Sequence, residues 1–174
     1  LGAFTSFSMY LIGQDSFRIV TWMMGYMGSV SWLKIGVLMI PLLVSVVYFY
    51  LKRYELDLLM SGDEEAHSLG VNVDRLKRNL LIVSALIVGF SVAFTGMIGF
   101  VGLIAPHTVR LALKSGSNTR LLPLATLGGG LFLLICDTIG RTILAPTEIP
   151  IGVVTSFFGA PFFLYLAIRR KKGG

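Results

Sequence analysis

Leu80 to Gly99 reads LLIVSALIVGFSVAFTGMIG, and what solvates that stretch decides the fold. It holds no charged side chain and has the length a helix needs to cross a hydrocarbon core, about 20 residues. Similar runs lie on either side of it. Residues 33–51 form one, interrupted only by Lys34 at its start and Pro41 inside; 121–141 and 151–168 form two more. The chain of 174 residues is 55% hydrophobic and only 14% charged, against about a quarter charged in an ordinary soluble domain. The pattern predicts an all-α polytopic membrane protein.

Two further segments fit this reading with different lengths. Residues 1–13 are apolar but too short to span, so they are expected to be a partial transmembrane helix, entered partway through in a longer protein. Residues 100–113 make about 21 Å of helix, less than a 30 Å core, which predicts a short crossing shielded by protein. Residues 15–32 are polar and broken by glycine. With Trp22 and Trp32 suited to headgroup level, they read as a surface helix.

The basic residues orient the bundle. With 52–79, the 114–120 turn and the 169–174 tail on the cytoplasmic side, and Arg110 at the inner end of 100–113, twelve of the fifteen Lys and Arg lie inside, and only Arg18, Lys34 and Arg141 lie outside. That count works only if 100–113 returns the chain across the membrane. The net charge of +6 is spread between apolar runs and forms no single patch, which argues against nucleic acid as a partner. Cys136 is alone in an apolar run, so neither a disulfide framework nor a metal-ligand spacing is available.

The longest polar stretch contains SGDEEAHSLGV, residues 61–71. Gly62 and Gly70 bracket two helical turns. Asp63, Glu64 and Glu65 sit at the start, where acids favour the helix dipole; Glu65 and Leu69 share a face; Gly70 suits the C-cap. Gly62, Ala66 and Gly70 leave room for another backbone to approach. A capped surface helix accounts for the same residues.

GDEEAHSLGV, then GFVGLIAPHTVRL at 99–111, then APTEIPIGVVTSFFGAPFFLYL at 145–166, resemble the permease subunits of iron-chelate and cobalamin ABC importers, in register along nearly the whole chain. The resemblance implies the C-terminal portion of a ten-helix permease bundle. It also implies a second permease copy, cytoplasmic ATPases that carry ATP and magnesium, and an extracytoplasmic binding protein. The chain itself is then a transport channel subunit with no cofactor and no bound metal, in a bacterial or archaeal plasma membrane, with its C-terminus inside. It has no G-x-x-x-x-G-K-[ST] phosphate cradle of its own. An ion-coupled secondary transporter is the alternative; it calls for acids or histidines at mid-depth, whereas Asp137 lies near an outer end.

Site residues follow from the resemblance motif by motif. Gly62, Glu64, Glu65, Ala66, Leu69 and Gly70 match the element on which the family's ATPase docks. Arg141 matches an arginine that meets the binding protein, with Arg18 as a helper; the residue chemistry alone equally allows an Asp137–Arg141 salt bridge inside the chain. Thr5 and Ser6 fall where the family narrows its pathway. The remaining motif residues read as structural: Gly96, Gly99 and Gly102 for close helix approach, Pro106 for a kink, His107 as a paired polar group, Arg110 as an interfacial anchor. Glu148 is expected to cap the last helix, beside Pro150, with Gly152 giving it a small face.

Overall fold

The structure is a computed structural model that describes residues 15–28, 31–113 and 117–171. Eight helices and no strand occur among them: α1 (Asp15–Met23), α2 (Trp32–Leu51), α3 (Arg53–Ser61), α4 (Asp63–Ser68), α5 (Val73–Thr95), α6 (Val101–Leu113), α7 (Asn118–Thr142) and α8 (Ile151–Lys171). Residues 1–13, with Thr5 and Ser6, lie outside the described residues, as does the side chain of Arg18, whose backbone sits on α1.

Helices α2, α5, α7 and α8 have 20, 23, 25 and 21 residues. At 1.5 Å per residue each reaches at least about 30 Å, enough to cross hydrocarbon. Their outer faces stay apolar: Leu33, Leu81, Leu127 and Phe157 are all more than 70% exposed. Five side-chain hydroxyls on these helices are satisfied within their own helix: Ser91, Thr95, Thr126, Thr138 and Thr142 each donate to the carbonyl four residues back at 2.8–2.9 Å, as suits an apolar medium.

The ends are set by local chemistry. Ser31 caps α2 through the Lys34 amide (3.4 Å), and Asn72 caps α5 through the Arg75 amide (3.0 Å). That second cap starts α5 at Val73, so the polar connection of 52–79 gives up its last seven residues to the helix. The expected surface helix of 15–32 is shorter than its composition indicated. It stops at Met23, and Trp32 opens α2, because Gly25 at φ +74° turns the chain out of the helix.

Segment 24–28 then stitches three elements. Tyr26 donates its amide to the Thr95 carbonyl at the end of α5, while the first amides of α8, those of Ile151 and Gly152, donate to the Gly25 and Met24 carbonyls (3.1 and 3.0 Å). Gly152 is obligatory here: a Cβ at that position falls 2.2 Å from the Met24 carbonyl oxygen. Gly96 is equally constrained, with φ +71° and a would-be Cβ 2.1 Å from the Trp22 carbonyl oxygen.

Why α6 manages with 13 residues is visible at its start. Phe100, at φ +67°, lays its ring over Gly159, eight residues into α8 and hence about 12 Å along it. The non-helical 96–100 therefore covers depth that helix covers elsewhere, and it does so against α8, the condition under which irregular backbone is tolerated inside a membrane. At the far end Arg110 Nη2 lies 4.0 Å from Met60 Sδ of α3. Helix α6 packs mainly on α7 and secondarily on α8.

Candidate functional site

The predicted docking segment forms a compact two-helix unit, α3 and α4, joined at Gly62 (φ +130°). Its far end is a complete Schellman turn. Gly70, at φ +87°, donates to the His67 carbonyl and Val71 donates to the Ala66 carbonyl, both at 3.0 Å. Gly70 sits one residue beyond the C-cap, which is Leu69.

The orientation of α4 corrects one expectation. Ala66 is fully buried, packed with Val71, Val73 and Leu76 and flanked by Leu58, Leu59 and Leu80. Its small side chain serves this chain's own core and leaves no room for a foreign backbone. The reason is spacing: the turn after Leu69 folds Val71 and Val73 back under α4, and Ala66 is the one apolar residue on that underside. What α4 offers outward is Glu64, Glu65, His67, Ser68 and Leu69, the last 60% exposed. Asp63 is tied to Lys77 of α5 by an ion pair.

A residue that the motifs did not single out anchors the unit. Asp57 of α3 accepts from the Asn118 amide (2.8 Å), the Asn118 side-chain amide (2.7 Å) and the Ser117 hydroxyl (3.2 Å). It caps α7 from a different helix, and Asn118 is buried. A lone aspartate in YELDLLM carries no spacing signal, since its partners are about sixty residues away. The unit is thus gripped twice, by apolar packing onto α5 and by a carboxylate onto α7. Beside it, the Arg53 guanidinium lies 4.3 Å from the ring centroids of both Tyr50 and Tyr54.

At the opposite end of the bundle, Asp137 and Arg141 do form the salt bridge their spacing allows, Nε to Oδ2 at 2.8 Å. Glu148 joins it, 3.4 Å from the Arg141 guanidinium. Glu148 therefore does not cap α8 as expected; the Met24 and Gly25 carbonyls already hold those amides, which leaves its carboxylate to the arginine. Through a hydrogen bond and its negative charge, Glu148 also pushes the Tyr26 phenol above its usual range. Arg141 stays partly exposed, with 41% of its side-chain surface accessible.

The structural residues divide. His107 meets Phe162 edge-on, ring centroids 6.0 Å apart, as a packing partner between α6 and α8. Pro106 sits within α6, which continues through it, and the Pro150 carbonyl accepts the Val153 amide at the start of α8. Gly99 and Gly102 are not approached: a Cβ at either meets nothing within 4 Å among the described residues. Of the three glycines expected to permit close approach only Gly96 is crowded, and Gly152 and Gly159 on α8 are crowded as well. No group of three or more His, Cys, Asp or Glu among the described residues is placed to hold a metal.

Comparison with known proteins places this geometry. Residues 1–169 match the FecCD transport family. The hemin transport system permease protein HmuU of Yersinia pestis is 44% identical over 152 residues, covering 87% of this chain and 45% of that protein. The cobalamin import system permease protein BtuC of Halobacterium salinarum is 42% identical over 172 residues, 98% of this chain and 46% of the relative. A solved structure described as an inward-facing metal-chelate type ABC transporter superposes with a TM-score of 0.86 at 31% identity, covering 97% of this chain and 55% of its own. The chain spans about half the length of the curated relatives it matches.

Proposed function

Because this chain belongs to the FecCD transport family, we propose that it forms the C-terminal part of an ABC importer permease that moves a metal chelate, of the ferric siderophore, haem or cobalamin type, into the cell. A separate ATPase supplies the energy and docks on the exposed side of α4; ATP and magnesium stay on that partner. A second permease copy completes the pathway, and an extracytoplasmic binding protein delivers the chelate near Arg141. In this reading the α4 side of a plasma membrane is cytoplasmic, and so is the C-terminus. The subunit conducts and does not catalyse.

One observation carries this: a short acidic helix with an exposed leucine protrudes from the bundle, yet is fastened to two membrane helices by Ala66 packing and by Asp57. A protrusion that only decorated the surface would not need two anchors. A force applied to α4 moves α5 and α7 with it.

The test keeps the anchors and alters the outer face. Leu69→Glu in the full permease places a charge where a partner's apolar contact is expected while leaving Ala66, Val71 and Leu76 packed. We expect loss of ATPase co-purification and of chelate uptake, with an unchanged melting temperature for the permease alone. Undiminished ATPase association and uptake in a normally folded Leu69→Glu protein would reject the docking assignment.

A further inference from the structure

Where α2 runs into α3, a cavity of about 140 Å³ opens against the first turns of α5. Tyr48, Lys52 and Glu55 line it from one side at helical spacing, and Asn72, Arg75, Leu76 and Asn79 from the other, also along one helix face. It is smaller than the roughly 300–1,000 Å³ of ordinary small-molecule pockets, so a chelate or nucleotide is out of scale and a compact group is not.

The lining is rich in donors. Tyr48, Lys52, Arg75, Asn72 and Asn79 all carry O–H or N–H groups, and the one carboxylate, Glu55, is already held by Lys52 at 2.6 Å. Arg75 has no carboxylate partner among the described residues. The Tyr48 hydroxyl is buried and has no hydrogen-bond partner there, an arrangement that costs free energy unless something fills it. Asn72 caps α5, so the positive end of a 23-residue helix adds to the same field. Depth supplies the last argument. The uncharged apolar run of α2 ends at Leu51 and that of α5 begins at Leu80, with Lys52, Glu55 and Arg75 just outside them, which sets the cavity at the level of lipid headgroups.

We propose that this cavity binds a phosphate oxyanion, with Tyr48, Arg75 and Lys52 as its donors, and that an anionic phospholipid of the adjacent leaflet presents it. Basic pockets between spanning helices on the cytoplasmic side are a known mode of headgroup recognition. The proposal depends on α2 and α5 crossing the membrane and not on what the protein transports.

The experiment uses the full permease purified in detergent, with phosphatidylglycerol, phosphatidylcholine and inorganic phosphate as probes and native mass spectrometry as the readout. Phosphatidylglycerol is expected to remain bound preferentially. Tyr48→Phe and Arg75→Gln are each expected to weaken its binding about 10- to 100-fold, the loss expected for one hydrogen bond to a charged group. Tyr48→Phe also separates binding from folding. Without lipid it leaves the melting temperature unchanged or raised, because it deletes an orphan hydroxyl, and it abolishes the added stability that phosphatidylglycerol gives the parent. Displacement of the lipid by millimolar inorganic phosphate would assign the site to the free ion, and failure to displace it would assign it to lipid; both support phosphate chemistry. Equal retention by parent and both variants, or equal retention of phosphatidylcholine, overturns the proposal.

Discussion

Replacing Asp57 by alanine tests whether the α3–α4 unit is bound to the membrane helices as the geometry implies. The carboxylate makes three contacts, at 2.7, 2.8 and 3.2 Å. Loss of the bond to the Asn118 backbone amide leaves a first-turn donor of α7 without its acceptor, a loss of the same size as that of an N-cap bond, about 1 kcal/mol, while the Ser117 N-cap itself remains. The Asn118 side-chain amide is buried and forfeits its best acceptor, which costs about 1–3 kcal/mol; Met60 Sδ at 3.5 Å is a weak substitute. The Ser117 hydroxyl lies at the longest distance and can rotate, so its share is small. The total is about 3 kcal/mol, and at 1.4 kcal/mol per decade that is about a hundredfold in the opening equilibrium of the first turn of α7. Hydrogen exchange reads this directly. Amides of 118–122 are expected to exchange about a hundred times faster in Asp57→Ala, with 130–140 unaffected, and Asp57→Asn, which keeps one carbonyl acceptor, is expected to fall between. Exchange at 118–122 within twofold of the parent in Asp57→Ala would refute the idea that this carboxylate holds α7.

Other outcomes follow from the same contacts. Gly152→Ala drives a methyl to 2.2 Å from the Met24 carbonyl oxygen; since backbone cannot rotate aside, it is expected to destabilise the fold by more than the roughly 1–3 kcal/mol of ordinary overpacking, read as a sharp drop in melting temperature. Gly102→Ala meets open space on a helix, so a gain of up to about 1 kcal/mol from helix propensity is expected, and a large loss would show a neighbour on that face. Tyr26 titrates above the usual value of about 10 because its phenol donates to Glu148. The folded value exceeds the unfolded one, so this contribution to stability is present below about pH 10 and is lost as pH rises through the raised value. A phenolate absorbance difference between parent and Tyr26→Phe locates that step, and Glu148→Gln is expected to move it down; an unmoved step argues against the contact.

Hydropathy made the four long helices legible, because a run such as 80–99 has one solvent in which it is stable. The Schellman glycine was legible too, since Gly70 follows an amphipathic turn at the right place. Pairings that depend on distant backbone were not. Glu148 stands just ahead of α8, and local chemistry reads it as a cap; only the fold shows that the Met24 and Gly25 carbonyls have taken the amides and left Glu148 to Arg141. Ala66 failed for a related reason. A small residue between glycines is compatible with an open surface or a tight interior, and the choice depends on where Val71 and Val73 return. The glycines followed the same rule: Gly96, Gly99 and Gly102 look like an approach motif, but whether a glycine is crowded depends on what packs against it, and only Gly96 is, while Phe100 sends its ring to Gly159.

These differences bear on how α4 works. With Ala66 facing inward, the unit cannot be reshaped by a partner without disturbing the cluster that joins it to α5, and with Asp57 on Asn118 it cannot slide along α7 without breaking a buried polar contact. Apolar packing tolerates small shifts, whereas a capping carboxylate holds a fixed direction. Together they make α3–α4 behave as a rigid extension of two membrane helices at once. Under the proposed docking role, a displacement of α4 would change the angle between α5 and α7, whose far ends meet the stitched segment around Gly25, Gly96 and Gly152 and the Asp137–Arg141–Glu148 cluster. The crowded glycines at that end leave little freedom for local yielding, so in that proposal movement entering at α4 would be passed along the helices as tilt.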